Sequence, residues 1–331
     1  MDASRSHQLN SSNKLHDSSA QVDDLWFTNT LIVIQAEDKV FRVPGGILAA
    51  RSTVFRDMIA FPQPKSNEDF MDGCPVVRLQ DPSKDVEVFL RAIYDSSYFM
   101  PAPAAYDLYA VLGILRLSHK YDVPYLHNRA LEHLAAEGYF PAGYEDIVEQ
   151  NHLIMPGTLT PVHALSVIAA AAEVGAFWLL PYAYYCAATF SVKELLPFLD
   201  GTLCRFALQA LEGHADLTRA IISMHRFLTA RQFETCTATQ TCNVARNKMI
   251  TELLNLVSVD AVDVFDMAKK VLRYLTSNGR LCTECANIAR TKQHEGASAF
   301  WNELPQIFGL QSWGELRALR RIAMGEDTSG R

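Results

Sequence analysis

At 331 residues, with 49% hydrophobic and 20% charged residues, the chain has the composition of an ordinary globular protein and the length of about two domains. Its formal net charge of -7 argues against a broad electrostatic grip on nucleic acid, which needs an excess of Lys and Arg on one face. No apolar stretch follows Met1, so no secretory signal is expected. The chain is then expected to be intracellular, in cytoplasm or nucleus, with its seven cysteines as thiols rather than structural disulfides.

Residues 1–22 are rich in Ser, Asn, Asp and His and cannot offset their ordering entropy by burial, so they read as a disordered tail; 325–331 look similar. From Leu31 the β-branched run Leu31-Ile32-Val33-Ile34, the polar turn Glu37-Asp38-Lys39 and the alternating Val40–Val43 predict a hairpin. Pro44-Gly45-Gly46 ends the second strand. A short helix through Ile47, Leu48 and Ala50 follows, and Ser52 can cap the next, whose Phe55, Met58 and Ile59 share a face and are expected to form one buried stripe.

Phe61–Pro75, with three prolines and the run Lys65–Asp69, is expected to be a surface loop, and Val77 and Leu79 mark a third strand. Val86, Phe89, Leu90, Ile93 and Tyr94 recur at helical spacing, as do Leu108, Val111, Leu112 and Leu115, then Leu126, Ala130 and Leu134. The order is α+β, with helices packed on a small sheet. Residues 141–160 read as a linker and 161–324 as an all-α region. Val162–Phe190 carries only His163 and Glu173 as titratable groups, but Glu173, Gly175 and Pro181 interrupt it, so two buried core helices are expected rather than a membrane span.

FRVPGGILAARSTVF (Phe41–Phe55), VVRLQDPSKDVEVFLRAIY and LGILRLSHKYDVPYL occur in that order. They resemble the BTB/POZ family, whose patterns include "L-a-a-R-S-x-V-F" and "L-L-x-L-A-x-K-Y-x-V-x-x-L". The resemblance covers about Trp26 to Leu134 and is assigned to a domain over 23–140. It implies a small sheet packed by helices, self-pairing as a homodimer, and recruitment of other proteins, in transcriptional regulation or in assembly of cullin-type ubiquitin ligases. Many members carry an Asp before the first strand and a His after the second. Here those positions look like Asn29, or a neighbour, and Pro44, which departs from the charged groove that binds corepressors. Beyond Leu134, EVGAFWLLPYAYYC and FWNELPQIFGLQSWGEL resemble the helical C-terminal regions of the large fungal set of BTB proteins.

Cys236 and Cys242 lie six apart, and Cys282 and Cys285 form a C-x2-C knuckle. Together these two pairs would close a tetrahedral zinc site, with His294 able to replace one thiol. The alternative is that small sulfur side chains fill a helical core. A redox role for Cys282 and Cys285 lacks the βαβ context. Cys74, Cys186 and Cys204 are isolated.

No nucleophile elbow, Walker A loop, HExxH, kinase signature or dinucleotide glycine fingerprint occurs, so no enzyme, catalytic residue or small-molecule substrate is predicted. Asp260, Asp263 and Asp266 read as a solvated helix face, and His119 and His133 as packing or surface residues. His152 and His163 are placed beside the linker. Arg317, Arg320 and Arg321 read as a solvated helix end. Phe300, Trp301, Phe308 and Trp313 fit a core or docking stripe rather than a base-stacking platform, which would need interleaved Lys and Arg. The function expected is a non-enzymatic interaction adaptor. The alternative is a DNA-associated regulator with a zinc-stabilised C-terminal module.

Overall fold

The computed structural model describes residues 22, 26–27, 30–60, 70–136, 159–230, 233–257 and 263–325. The expected tails and linker fall outside these residues except for Val22, Gly325 and positions 159–160; Asn29, His152 and Asp260 also fall outside them. The backbone divides into two compact units, 1–83 and 84–331, which are taken in turn.

In the first unit, β1 (Leu31–Ala36) pairs antiparallel with β2 (Lys39–Pro44), with Val33 opposite Arg42. β4 (Cys74–Leu79) runs parallel to β1, and β3 (Phe70–Met71) pairs antiparallel with β4, giving the order β2-β1-β4-β3. β1 has a neighbour on each side, and its unbroken apolar run Ile32-Val33-Ile34 is buried. β2 is an edge strand and alternates half-buried with exposed positions.

The expected loop over Phe61–Pro75 is corrected at its end, because residues 70–75 belong to a second hairpin. Its turn is Asp72-Gly73, with φ of 49° and 75°, the left-handed geometry that two-residue hairpins demand. Nearby prolines masked that signal, yet Pro75 is tolerated in a pairing only two residues long.

α1 (Gly45–Arg51) and α2 (Thr53–Ala60) follow the first hairpin. A Cβ on Gly45 would stand 3.2 Å from both Ile32 Cγ2 and the Thr30 carbonyl oxygen, so a close backbone approach sets this residue. The Ser52 hydroxyl accepts from the Phe55 N–H at 3.0 Å, as the sequence predicts. Phe55 is buried, whereas Met58 and Ile59 are only half-buried, so the stripe expected of all three is narrower than its spacing suggests. Ser52→Ala is expected to cost about 1 kcal/mol, the ordinary worth of such a cap, read as a lower urea midpoint at unchanged slope. Carboxylates of the β1–β2 turn hold the last residue of this unit: the Ser83 N–H donates to Glu37 Oε2 at 2.9 Å, and its hydroxyl to Asp38 Oδ1 at 3.3 Å.

The second unit contains α3 (Ser83–Tyr94, which starts on the boundary), α4 (Leu108–Lys120) and α5 (Pro124–Leu134). Their predicted apolar faces are buried at Val86, Phe89, Leu90, Ile93, Val111, Leu112, Leu115, Leu126, Ala130 and Leu134, while Tyr94 and Leu108, at the ends of their stripes, are half-buried. An ion pair between Asp85 and Arg116 joins α3 to α4. Beyond these lie α6 (Pro161–Glu173), α7 (Leu180–Ala188), α8 (Val192–Leu195), α9 (Cys204–Met224), α10 (Thr239–Val257), α11 (Val264–Thr276), α12 (Thr283–Ile307) and α13 (Trp313–Ala323). Among the described residues this region is entirely helical, so a small four-stranded sheet is followed by helices, an α+β arrangement.

α6 and α7 are the two core helices expected over 162–190, separated at Gly175 with φ 74°. No helix among the described residues is long and apolar enough to cross a membrane. Tyr185, Phe265, Phe300, Trp301 and Trp313 form one buried aromatic cluster, with Trp301 and Trp313 stacked at 4.5 Å. The aromatic stripe is therefore core.

Candidate metal centre

All four predicted cysteines meet: the Sγ atoms of Cys236, Cys242, Cys282 and Cys285 lie within 4.8 Å of one another. Two helix starts bring them there. Cys242 is the fourth residue of α10, and Cys236 stands in the turn before that helix, its N–H donating to the Phe233 carbonyl at 3.0 Å. Cys282 is the N-cap of α12, with extended φ/ψ of -64° and 162°, and Cys285 lies in that helix's first turn. A C-x2-C pair at a helix start points both sulfurs to the same side, because the cap residue and the third helical residue are neighbours in space. Cys242 and Cys285 are buried, Cys236 and Cys282 half-buried, and all seven cysteines of the chain are unbonded thiols.

Donors surround the sulfurs. The Cys282 N–H donates to Cys242 Sγ at 3.2 Å, linking the two pairs. The Cys285 backbone N–H, with the hydroxyl and N–H of Thr237, holds the Cys282 thiol down at about 5. Burial pushes the Cys242 and Cys285 thiols up. Two cations stand close by in sequence. Arg246, one turn beyond Cys242 on the same face of α10, lies over the Phe233 ring at 4.7 Å. Arg280 stacks on Tyr274 at 4.1 Å and donates to its carbonyl at 2.9 Å.

His294 does not join the group. It lies nine residues beyond Cys285, about 13 Å further along α12 at the helical rise. The Asp260–Asp266 reading is also corrected. Asp263 is the half-buried N-cap of α11, accepting from the Asp266 N–H at 2.9 Å and from the Tyr185 hydroxyl at 2.6 Å. Asp266 is a more exposed carboxylate, paired with Lys270 at 2.6 Å, and Asp260 lies outside the described residues. His163 closes a capping box with Thr160 at the start of α6, and buried His133 meets the Met100 carbonyl at 2.8 Å. Thr237 and the Cys282 N–H went unforeseen, since nothing in a cysteine spacing names the donors that will face the sulfurs.

A cleft of about 730 Å³ between α9 and α12 is lined by charges of both signs. Of these, Asp216 pairs with Arg219 and Lys292 with Glu295, each within its own helix, and Arg226 and Glu303 line the cleft as well.

Compared with family models, residues 26–137 match the BTB/POZ domain, a stretch that begins just ahead of β1 and ends just past α5. A search of curated proteins found no match.

Proposed function

Because residues 26–137 are a BTB/POZ domain, a protein-interaction module, we propose that the chain is a non-catalytic adaptor that pairs with a second copy of itself through this domain and recruits other proteins. The family match carries this reading. Exposed apolar side chains in the first unit support it: Val40 is 51% exposed on the edge strand β2, Phe70 and Met71 are exposed on β3 at the opposite edge, and Trp26, 64% exposed, Phe27 and Leu31 are exposed as well. Large apolar groups on sheet edges expose both unpaired backbone and greasy surface, and covering them stabilises association. Pairing of one such edge with the same edge of a second copy gives a two-fold dimer. Two downstream roles suit such an adaptor, transcriptional regulation or presentation of cargo to a cullin-type ubiquitin ligase.

Light scattering of the full chain across a dilution series tests the pairing. The expected mass is twice that of the 37.0 kDa chain, falling toward one chain on dilution. Val40→Glu is expected to weaken the dimer about tenfold or more, because the buried charge enters a symmetric interface twice, while circular dichroism stays unchanged. A single-chain mass at every concentration would refute self-pairing.

A further inference from the structure

We propose that Cys236, Cys242, Cys282 and Cys285 form a structural four-thiolate zinc site that clasps the start of α10 to the start of α12. The proposal stands apart from the adaptor reading. Four sulfurs from two chain segments lie mutually within 4.8 Å, while a tetrahedral ion with bonds of about 2.3 Å holds its thiolates about 3.8 Å apart. The cluster therefore closes on an ion with a contraction of about 1 Å on its longest edge. Disulfides need sulfurs at about 2.05 Å and would use them only in pairs, leaving the four-way convergence without a purpose.

The surroundings suit the charge. Four thiolates around a divalent ion carry a net -2, and this charge falls at two helix N-termini, where the partial positive charge of the backbone is greatest. The Cys282 N–H on Cys242 Sγ is the kind of outer contact that fixes a ligand sulfur and reduces its charge. An all-sulfur tetrahedron selects zinc or a single iron, and with all four positions taken by protein the ion is structural rather than catalytic. On binding, each thiol gives up its proton to solvent, and no oxidant or reductant is involved. The clasp closes the chain from Cys242 to Cys282, fixing α10 and α11 between two anchored ends.

The test is metal analysis of the full chain, purified without chelator and then reconstituted with Zn²⁺ under reducing conditions. One zinc per chain is expected, with loss of that zinc in Cys285→Ser and its retention in Cys204→Ser. Exchange for Co²⁺ in the wild-type chain is expected to give intense visible absorption with thiolate-to-metal charge transfer, the signature of tetrahedral sulfur ligation. This reading stands even where Cys285→Ser fails to fold. Zinc near zero after reconstitution, iron in its place, zinc undiminished in a folded Cys285→Ser, or a cobalt spectrum without charge transfer would each overturn the site. A monomeric protein that still binds one zinc would sink the adaptor's self-pairing and leave the clasp standing.

Discussion

Replacing Gly213 with valine is expected to destabilise the helical unit by about 3 kcal/mol, even though glycine is itself a poor residue for the interior of α9. Ordinary helix propensity favours alanine over glycine by about 1 kcal/mol, so the sign depends on what a side chain would meet. A Cβ on Gly213 would stand 2.1 Å from Cε1 of Phe308 and 2.9 Å from its Cζ. The ring is held where it is: it is 2% exposed and stacked on Tyr184 at 5.2 Å. The Phe308 carbonyl accepts from Gln209 Nε2 at 2.6 Å, and Gln209 in turn accepts from the Tyr184 hydroxyl at 2.5 Å. Overpacking of such a site costs about 1–3 kcal/mol, which outweighs the propensity gain, so even Gly213→Ala is expected to lower stability. Urea unfolding followed by circular dichroism checks this. Gly314→Ala, where the nearest atom stands 3.9 Å away, is the control and is expected to be neutral or stabilising. An unchanged midpoint for Gly213→Val would mean that the ring swings aside freely.

Asp263→Ala is expected to cost about 3 kcal/mol. About 1 kcal/mol is the lost cap on α11, and the remaining ~2 kcal/mol comes from leaving the buried Tyr185 hydroxyl without its acceptor. Asp263→Asn behaves differently, because an amide oxygen still accepts both bonds and carries no charge. Burial holds the Asp263 carboxyl above the usual aspartate range, and the Asp266 N–H and Tyr185 hydroxyl only partly oppose that. With a native pKa above the unfolded one, the folded state binds the proton more tightly. The contribution of the carboxyl is therefore most favourable in acid and declines as pH rises from the ordinary aspartate value through the native one. At neutral pH the Asn variant is expected to be as stable as wild type or more so, with a steeper rise of stability with pH on the acid limb, because a contribution that falls with pH is gone while those of carboxyls held low, such as Asp95 and Glu194, remain. Denaturant midpoints measured across the acid range check the sign, and an Asn variant that loses as much stability as the Ala variant would contradict it.

Much of the arrangement was legible because apolar periodicity is local. The stripes of α3, α4 and α5, the Ser52 cap and the β1–β2 hairpin each lie within about a dozen residues, and each side chain goes to the face its spacing assigns. The two cysteine pairs were also visible as pairs. That they meet as one cluster was expected from the count of four thiols, although the six-residue gap from Cys236 to Cys242 is looser than the usual knuckle. The first turn of α10 takes up that gap, and this becomes evident only once the helix start at Thr239 is known.

Asp263 shows the other limit. Its spacing with Asp266 resembles a solvated face, yet it stands one residue ahead of α11, where Tyr185, 78 residues away in sequence, closes over it. Local patterning alone carries the helices and the first hairpin, though not the second at 70–75, together with the BTB/POZ resemblance of the N-terminal third and the residue types available for a metal. The folded chain brings the four sulfurs together, leaves His294 apart from them and places Asp263, half-buried, under the Tyr185 hydroxyl. Convergence and burial depend on how separated helix ends meet, and spacing along the chain carries no record of the distance between them.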